Sequence, residues 1–255
     1  YSPGLRGVIA GETKISTVGM EGTSLRYRGY DAIKLTETHT YEDAASLIIS
    51  DDLDGSEFTN NFIKYYGELT NDKDINKLFV EIKSRLHPMD VIRTVVSYIG
   101  DSDKNSDLES TTKILAAVSY VIASYNDNDT SELDQEYTVA SSMLSNKVST
   151  DELQALDDIL ILYAEHGFNA STFATRVTAS TRSDLTSSIV SGIGTLKGEL
   201  HGGANERAVE LINSFKDIND AETGVLKMLE EKKKIMGFGH GVYKIQDPRS
   251  PVVKR

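Results

Sequence analysis

From about residue 40 to residue 234 the chain repeats one pattern: a polar capping residue, apolar residues at helical spacing, then a polar or glycine-containing break. Thr40 caps an expected helix through Ser50, with Glu42 and Asp43 in the first turn, where the helix dipole favours anions. Residues 56–70 and 73–86 read as two more helices. His87-Pro88 then breaks the chain, and Pro88 suits the first turn of a helix over Met89–Ile99 that carries Val91, Val95, Val96 and Ile99 on one side. Thr111–Tyr125 is apolar on more than one face, which predicts a helix central to the domain or at a subunit contact. Residues 131–145 are expected to be helical, and Ser149 with Glu152 forms a capping box that opens a helix to about Glu165. Ala170–Ser180 and Leu185–Leu196 are rich in small residues that let helices approach closely. In residues 204–214, Ala208, Leu211 and Ile212 face inward and Glu206, Arg207 and Glu210 outward; residues 220–234 end in Lys232-Lys233-Lys234, cations at a helix C-terminus. Extended pieces are confined to the start: Val8–Ala10, Lys14–Ser16 and Leu25–Tyr27, broken by Gly11, Gly19 and Gly22, predict a small hairpin. The fold class expected is all-α with a short β element near the N-terminus.

Composition narrows the function. The 255 residues carry a formal charge of −12, which disfavours nonspecific binding to nucleic acid or to an anionic membrane. The same field repels an anionic substrate, so such a substrate needs a local positive pocket. There is no cysteine, hence no disulfide, no thiol nucleophile and no Cys-based metal site. That composition fits a reducing, cytoplasmic setting. No apolar run reaches the length of a membrane span, and no segment reads as a signal peptide; a start at Tyr1 suggests a trimmed N-terminus.

The chemistry concentrates in residues 196–249. Two of the five histidines are bracketed by glycine, His201 in Leu-His-Gly-Gly-Ala-Asn and His240 in Gly-Phe-Gly-His-Gly. Glycine removes the Cβ and lets backbone and ligand come close. Two imidazoles so exposed suggest acid–base work on a carbonyl. Gly202-Gly203 before Ala204 also suggests a helix N-terminus whose N–H groups favour an anion. His166, in Ala-Glu-His-Gly, reads equally as a ligand or as a histidine in a helix's last turn. Arg249 follows Asp247-Pro248, a stiff support for a guanidinium that reads either as a clamp for a dicarboxylate or as a solvated terminal arginine. His39 and His87 read as structural. A zinc site is disfavoured because short His-x-x-x-His spacings are absent, and no Gly-x-Ser-x-Gly marks a serine hydrolase.

Six blocks in order carry a resemblance: Tyr-Arg-Gly-Tyr (27–30), His-Pro-Met-Asp (87–90), Tyr-Ala-Glu-His-Gly-Phe-Asn-Ala-Ser-Thr-Phe (163–173), Leu-His-Gly-Gly-Ala-Asn-Glu (200–206), Gly-Phe-Gly-His (237–240) and Asp-Pro-Arg (247–249). Together they resemble the citrate synthase family. The resemblance implies a large helical domain over about 1–199 and the beginning of a small domain over 200–255, truncated before the family's catalytic aspartate. It implies condensation of acetyl-CoA with oxaloacetate and water to give citrate and CoA, an acyltransferase step of the tricarboxylic acid cycle. In that scheme His201 stabilises the enol of acetyl-CoA and His240 polarises the keto group of oxaloacetate. His166 and Arg249 join His240 in binding oxaloacetate, while Gly237, Phe238, Gly239 and Lys244 lie on the CoA side. Gly241 departs from the arginine that many bacterial and archaeal members carry. Acetyl-CoA is a substrate, so no cofactor and no metal is implied. A homodimer is expected, built through apolar helices such as 111–125. The nearest alternative is a 2-methylcitrate synthase using propionyl-CoA; another class is a non-catalytic relative acting as a binding or assembly subunit.

Overall fold

The computed structural model describes residues 9–19, 25–100, 105–126, 133, 136, 138–144, 148–238, 243 and 246–255. These residues form an assembly of α-helices with one small sheet. Strands β1 (Ser16–Thr17), β2 (Arg26–Tyr27) and β3 (Tyr30–Asp31) make an antiparallel meander, with Ser16 opposite Tyr27 and Tyr27 opposite Tyr30. The expected hairpin is thus three-stranded, and Ile9 and Ala10 are outside it. Helix α1 (Ala32–Thr38) follows at once, capped by Asp31, whose carboxylate accepts from the Ile33 and Lys34 amides. The sequence reading did not anticipate it, because its seven residues are too few to show a helical period.

Helix α2 (Tyr41–Ser50) opens with the reciprocal Thr40–Asp43 capping box, and α3 (Ser56–Asn71), α4 (Lys73–Ile82) and α5 (Pro88–Ile99) follow. Helix α6 (Asp107–Tyr125) starts four residues before the expected Thr111, because Ser106 and Glu109 form a capping box of their own. It is wrapped by α3, α5, α7 (Thr138–Met143) and α10 (Leu185–Leu196). Ala116, Ala117 and Val121 are therefore fully buried. Its all-round apolarity marks the centre of the fold, the first of the two places that the sequence allowed for it. Most of the expected helix over 131–145 lies outside the described residues.

Helix α8 (Thr150–Tyr163) begins at the Ser149–Glu152 capping box but ends before Glu165, so His166 lies beyond the helix and not in its last turn. Helices α9 (Ala170–Ser180) and α10 pair closely; a Cβ on Gly192 would overlap the Thr175 hydroxyl. In α11 (Gly203–Asn213) no residue is buried, and Ile212, expected inside, is 68% exposed. Helix α12 (Ile218–Glu230) stops before its lysines: Lys232 takes a left-handed φ of 55° and Lys233 folds back to Glu231 at 2.6 Å. The Lys232 and Lys233 amides still donate to the Leu229 and Met228 carbonyls, so these residues close the helix C-terminus from just beyond it. Helix α13 (Ser250–Val253) returns to α8, with Val252 buried. No helix among the described residues is long and apolar enough to cross a membrane.

The main core joins Phe58, Phe62 and Tyr66 of α3 to Val91, Val95 and Val96 of α5 and to α6. A second core of Leu25, Tyr27, Leu35, Leu47 and Ile161 ties the sheet to the end of α8. There the buried Tyr27 hydroxyl donates to the Ile161 carbonyl at 2.7 Å. Arg28 donates to the Leu47 and Ile48 carbonyls at 3.0 and 2.9 Å, satisfying the exit of α2. The Tyr-Arg-Gly-Tyr block is thus a brace: the Tyr27 hydroxyl and the Arg28 guanidinium close two helix ends.

Candidate active site

The connection between α8 and α9 carries the first group. Gly167, at φ 69°, turns the chain after His166. The Glu165 carboxylate secures the turn by accepting from the Gly167 amide at 2.6 Å and from the Ser16 hydroxyl of β1 at 2.9 Å. The small sheet therefore buttresses this loop. His166 Nε2 lies 3.0 Å from the Tyr243 hydroxyl, with the two rings edge to face. Arg249 stands over the faces of Tyr163 (5.1 Å) and Tyr243 (6.0 Å). Burial pushes the Tyr243 hydroxyl pKa up, with the Arg249 cation opposing it. One cation, one imidazole and two phenols thus meet at the end of α8.

Asp247 takes part of the expected guanidinium clamp. It binds Arg249 Nε through Oδ1 at 3.0 Å and Nη2 through Oδ2 at 2.7 Å. The Nε/Nη2 face of the guanidinium is therefore held by Asp247. The Asp247–Pro248 turn does provide the stiff support expected, since Asp247 also accepts from the Arg249 amide at 3.0 Å.

His201 forms the second group. It lies in the tight link between α10 and α11, where the Gly198 carbonyl accepts from the His201 and Gly203 amides at 2.9 and 3.1 Å. A Cβ on Gly202 would come within 2.6 Å of the Leu196 carbonyl oxygen, which is why glycine stands there. The amides of Gly203, Ala204 and Asn205 donate to the carbonyls of Gly198, His201 and Gly202. This corrects the expectation of an anion-receiving helix start: those N–H groups are spent inside the loop. The imidazole does the outward work. Its Nε2 accepts from the Ser171 amide at 3.3 Å and lies 2.9 Å from the Ser171 hydroxyl, at the start of α9 capped by Asn169. An amide N–H only donates, so Nε2 holds the lone pair and the ring N–H is at Nδ1.

His166, Arg249 and Tyr243 are thus one cluster, and His201 reaches the same chain segment five residues after His166. Of the CoA-side candidates, Gly237 has the left-handed φ of 88° and Phe238 is 82% exposed. His240, Gly239 and Lys244 lie outside the described residues, as does Gly241. The sequence reading missed Tyr243, Tyr163 and Ser171, although Tyr163 and Ser171 sit within the 163–173 block and Tyr243 lies three residues after His240. A polar cavity of about 260 Å³ opens elsewhere, lined by His39, Asp43, Gln154, Asp157 and Asp158 among others. Its acidic wall repels a dicarboxylate, and none of the candidate residues lines it. No metal-binding group of three or more His, Asp or Glu side chains occurs among the described residues.

The family profile described as citrate synthase, C-terminal domain, matches residues 4–255. A 2-methylcitrate synthase of Shewanella oneidensis is 40% identical over 269 aligned positions, covering 98% of this chain and 71% of that protein. A citrate/2-methylcitrate synthase of Bacillus subtilis is 36% identical, covering 100% and 73%. Among solved structures, the ternary complex of citrate synthase from Thermoplasma acidophilum with carboxymethyl coenzyme A and oxaloacetate superposes with a TM-score of 0.84 at 25% identity, covering 98% of this chain and 70% of that one. With a profile spanning almost the whole chain and relatives of this identity and coverage, the chain belongs to the citrate synthase family.

Proposed function

We propose that the protein condenses acetyl-CoA with oxaloacetate and water to give citrate and CoA. The observation that carries this is that Arg249, Tyr243 and His166 meet at the end of α8, while His201 is seated on Ser171, five residues after His166. The first three suit a keto-diacid: a cation for a carboxylate, and an imidazole and a phenol for a carbonyl or carboxylate oxygen. His201, with its N–H on Nδ1, donates to the thioester oxygen as negative charge develops there, so the enol form is stabilised. A carboxylate base, the aspartate that the family places beyond residue 255, takes the acetyl methyl proton; the enol carbon then attacks the keto carbon, whose oxygen takes a proton from His240, and water cleaves the thioester to give citrate and CoA. His240 is assigned to the keto oxygen, and Gly237, Phe238, Gly239 and Lys244 to the CoA side. The scheme uses hydrogen bonds and charge alone, so no metal or redox cofactor enters it. Residues 1–199 serve as the large domain and 200–255 as the start of the small one.

A second reading, condensation of propionyl-CoA to 2-methylcitrate, is favoured by the name of the Shewanella relative, while that of the Bacillus relative spans both products. Thiol-release kinetics of the full-length protein with both acyl-CoAs separate them by kcat/KM. In the same assay, His201→Ala lowers kcat by about 10²–10³-fold, the cost of one oxyanion donor. Arg249→Ala weakens oxaloacetate binding by about 10–100-fold, the loss of a charged hydrogen bond. Wild-type turnover in the His201 variant removes the imidazole from the mechanism.

A homodimer is also proposed, through α9 in place of the buried α6. What supports it is that α9 has no buried residue, with Phe173 37% and Val177 51% exposed beside small Ser, Thr and Ala positions.

A further inference from the structure

Both ends of the His201 loop are tied to one turn of α5. Before the loop, Lys197 closes α10 and its Nζ donates to Asp90 Oδ2 at 2.6 Å. Asp90 is the third residue of α5, and its Oδ1 accepts from Arg93 at 3.0 Å. The Lys197 hydrogen bond holds the Asp90 carboxyl below the usual carboxylate range. After the loop, Glu206 in the first turn of α11 lies 3.2 Å from His87 Nε2. The direction of that bond follows from the cap. The Met89 amide donates to His87 Nδ1 at 3.2 Å, so Nδ1 holds the lone pair and Nε2–H donates to the Glu206 carboxylate. His87 is thus the N-cap of α5 with one nitrogen and a hook onto α11 with the other. Between these anchors the loop is short and closed on the Gly198 carbonyl, which accepts from the His201 and Gly203 amides.

We propose that the His87-Pro88-Met89-Asp90 turn is a positioning device for His201: Asp90–Lys197 and His87–Glu206 clamp its loop at both ends and hold the imidazole against the start of α9. This rests on the reading of His201 as the thioester-oxygen donor. Both pairs are partly exposed, so they add little to stability. Placement is another matter, since a misplacement of about 1 Å from outside the reacting groups can cost on the order of 10²-fold in rate. Pro88 fixes the first turn of α5 and gives the two anchors a stiff common base.

The test is thiol-release kinetics of the full-length protein with His87→Asn, Glu206→Ala, the double variant, Glu206→Gln and His201→Ala, each with oxaloacetate affinity from calorimetry. Asn keeps the helix cap but falls short of Glu206. The clamp predicts that H87N and E206A each lower kcat by about 10-fold with oxaloacetate affinity held within about twofold. The double variant is then no slower than either single one, and E206Q, whose amide oxygen still accepts from Nε2–H, recovers most of the rate. A merely structural contact would lower the calorimetric stoichiometry and kcat together and leave E206Q no better than E206A; that pattern overturns the clamp. Should H87N not fold, the exposed Glu206 variants carry the comparison. An inactive H201A beside wild-type turnover in H87N and E206A overturns the clamp alone, whereas wild-type turnover in H201A overturns the catalytic reading beneath it.

Discussion

Asp157 shows what a single residue can impose on this fold. It is buried in α8, and both of its oxygens accept from the Tyr41 amide of α2 at 3.1 Å. Burial, followed by repulsion from Glu42, pushes its carboxyl pKa up to about 8. Glu42 is itself buried and raised for the same first reason. The folded state therefore binds more protons than the unfolded chain between the ordinary aspartate pKa of about 3.9 and about 8. Stability falls as pH rises through that window, by up to about 1.4 kcal/mol per pH unit for each such proton. Asp157→Asn keeps an acceptor for Tyr41 and removes the charge, so its urea midpoint declines less from pH 5 to pH 9 than that of the wild type. Equal slopes in the two proteins would remove Asp157 as the source. At this scale the sequence disclosed the glycine-bracketed His201 because a composition rule was broken locally. It hid Tyr243 and His87, whose partners are 77 and 119 positions away.

Among the elements, the pair α9–α10 depends most on one small side. Gly192 faces Thr175 with no space for a Cβ. Gly192→Val is expected to destabilise by about 1–3 kcal/mol, the ordinary cost of overpacking, read as a lower urea midpoint. It should also slow catalysis, because Ser171 at the head of α9 seats His201. A variant as stable as wild type would show that the pair can slide apart freely. Helix positions from α2 to α10 were legible from caps and periodicity, and Thr40–Asp43 and Ser149–Glu152 set their starts as read. Ends were less legible. Helix α8 stops at Tyr163 because Glu165 and Gly167 turn the chain against Ser16, a contact about 150 residues distant.

For the whole molecule, the uncovered face of α9 decides the expected assembly. Sedimentation equilibrium should give twice the monomer mass. Val177→Glu, a charge on an exposed position of α9, should shift the population to monomer with its helical circular dichroism retained. An unchanged dimer would place the interface elsewhere, and a monomeric wild type would end the proposal.

Helix order, the short β start and the glycine flanks that single out the candidate histidines are local properties. They follow from caps, apolar period and glycine flanks within a few residues, so the chain by itself determined them. Which face of α6 is covered, that Asp247 occupies one side of Arg249, and that His87 grips Glu206 are contacts between distant segments. Packing decided those, because burial and hydrogen-bond direction exist only once the helices have met.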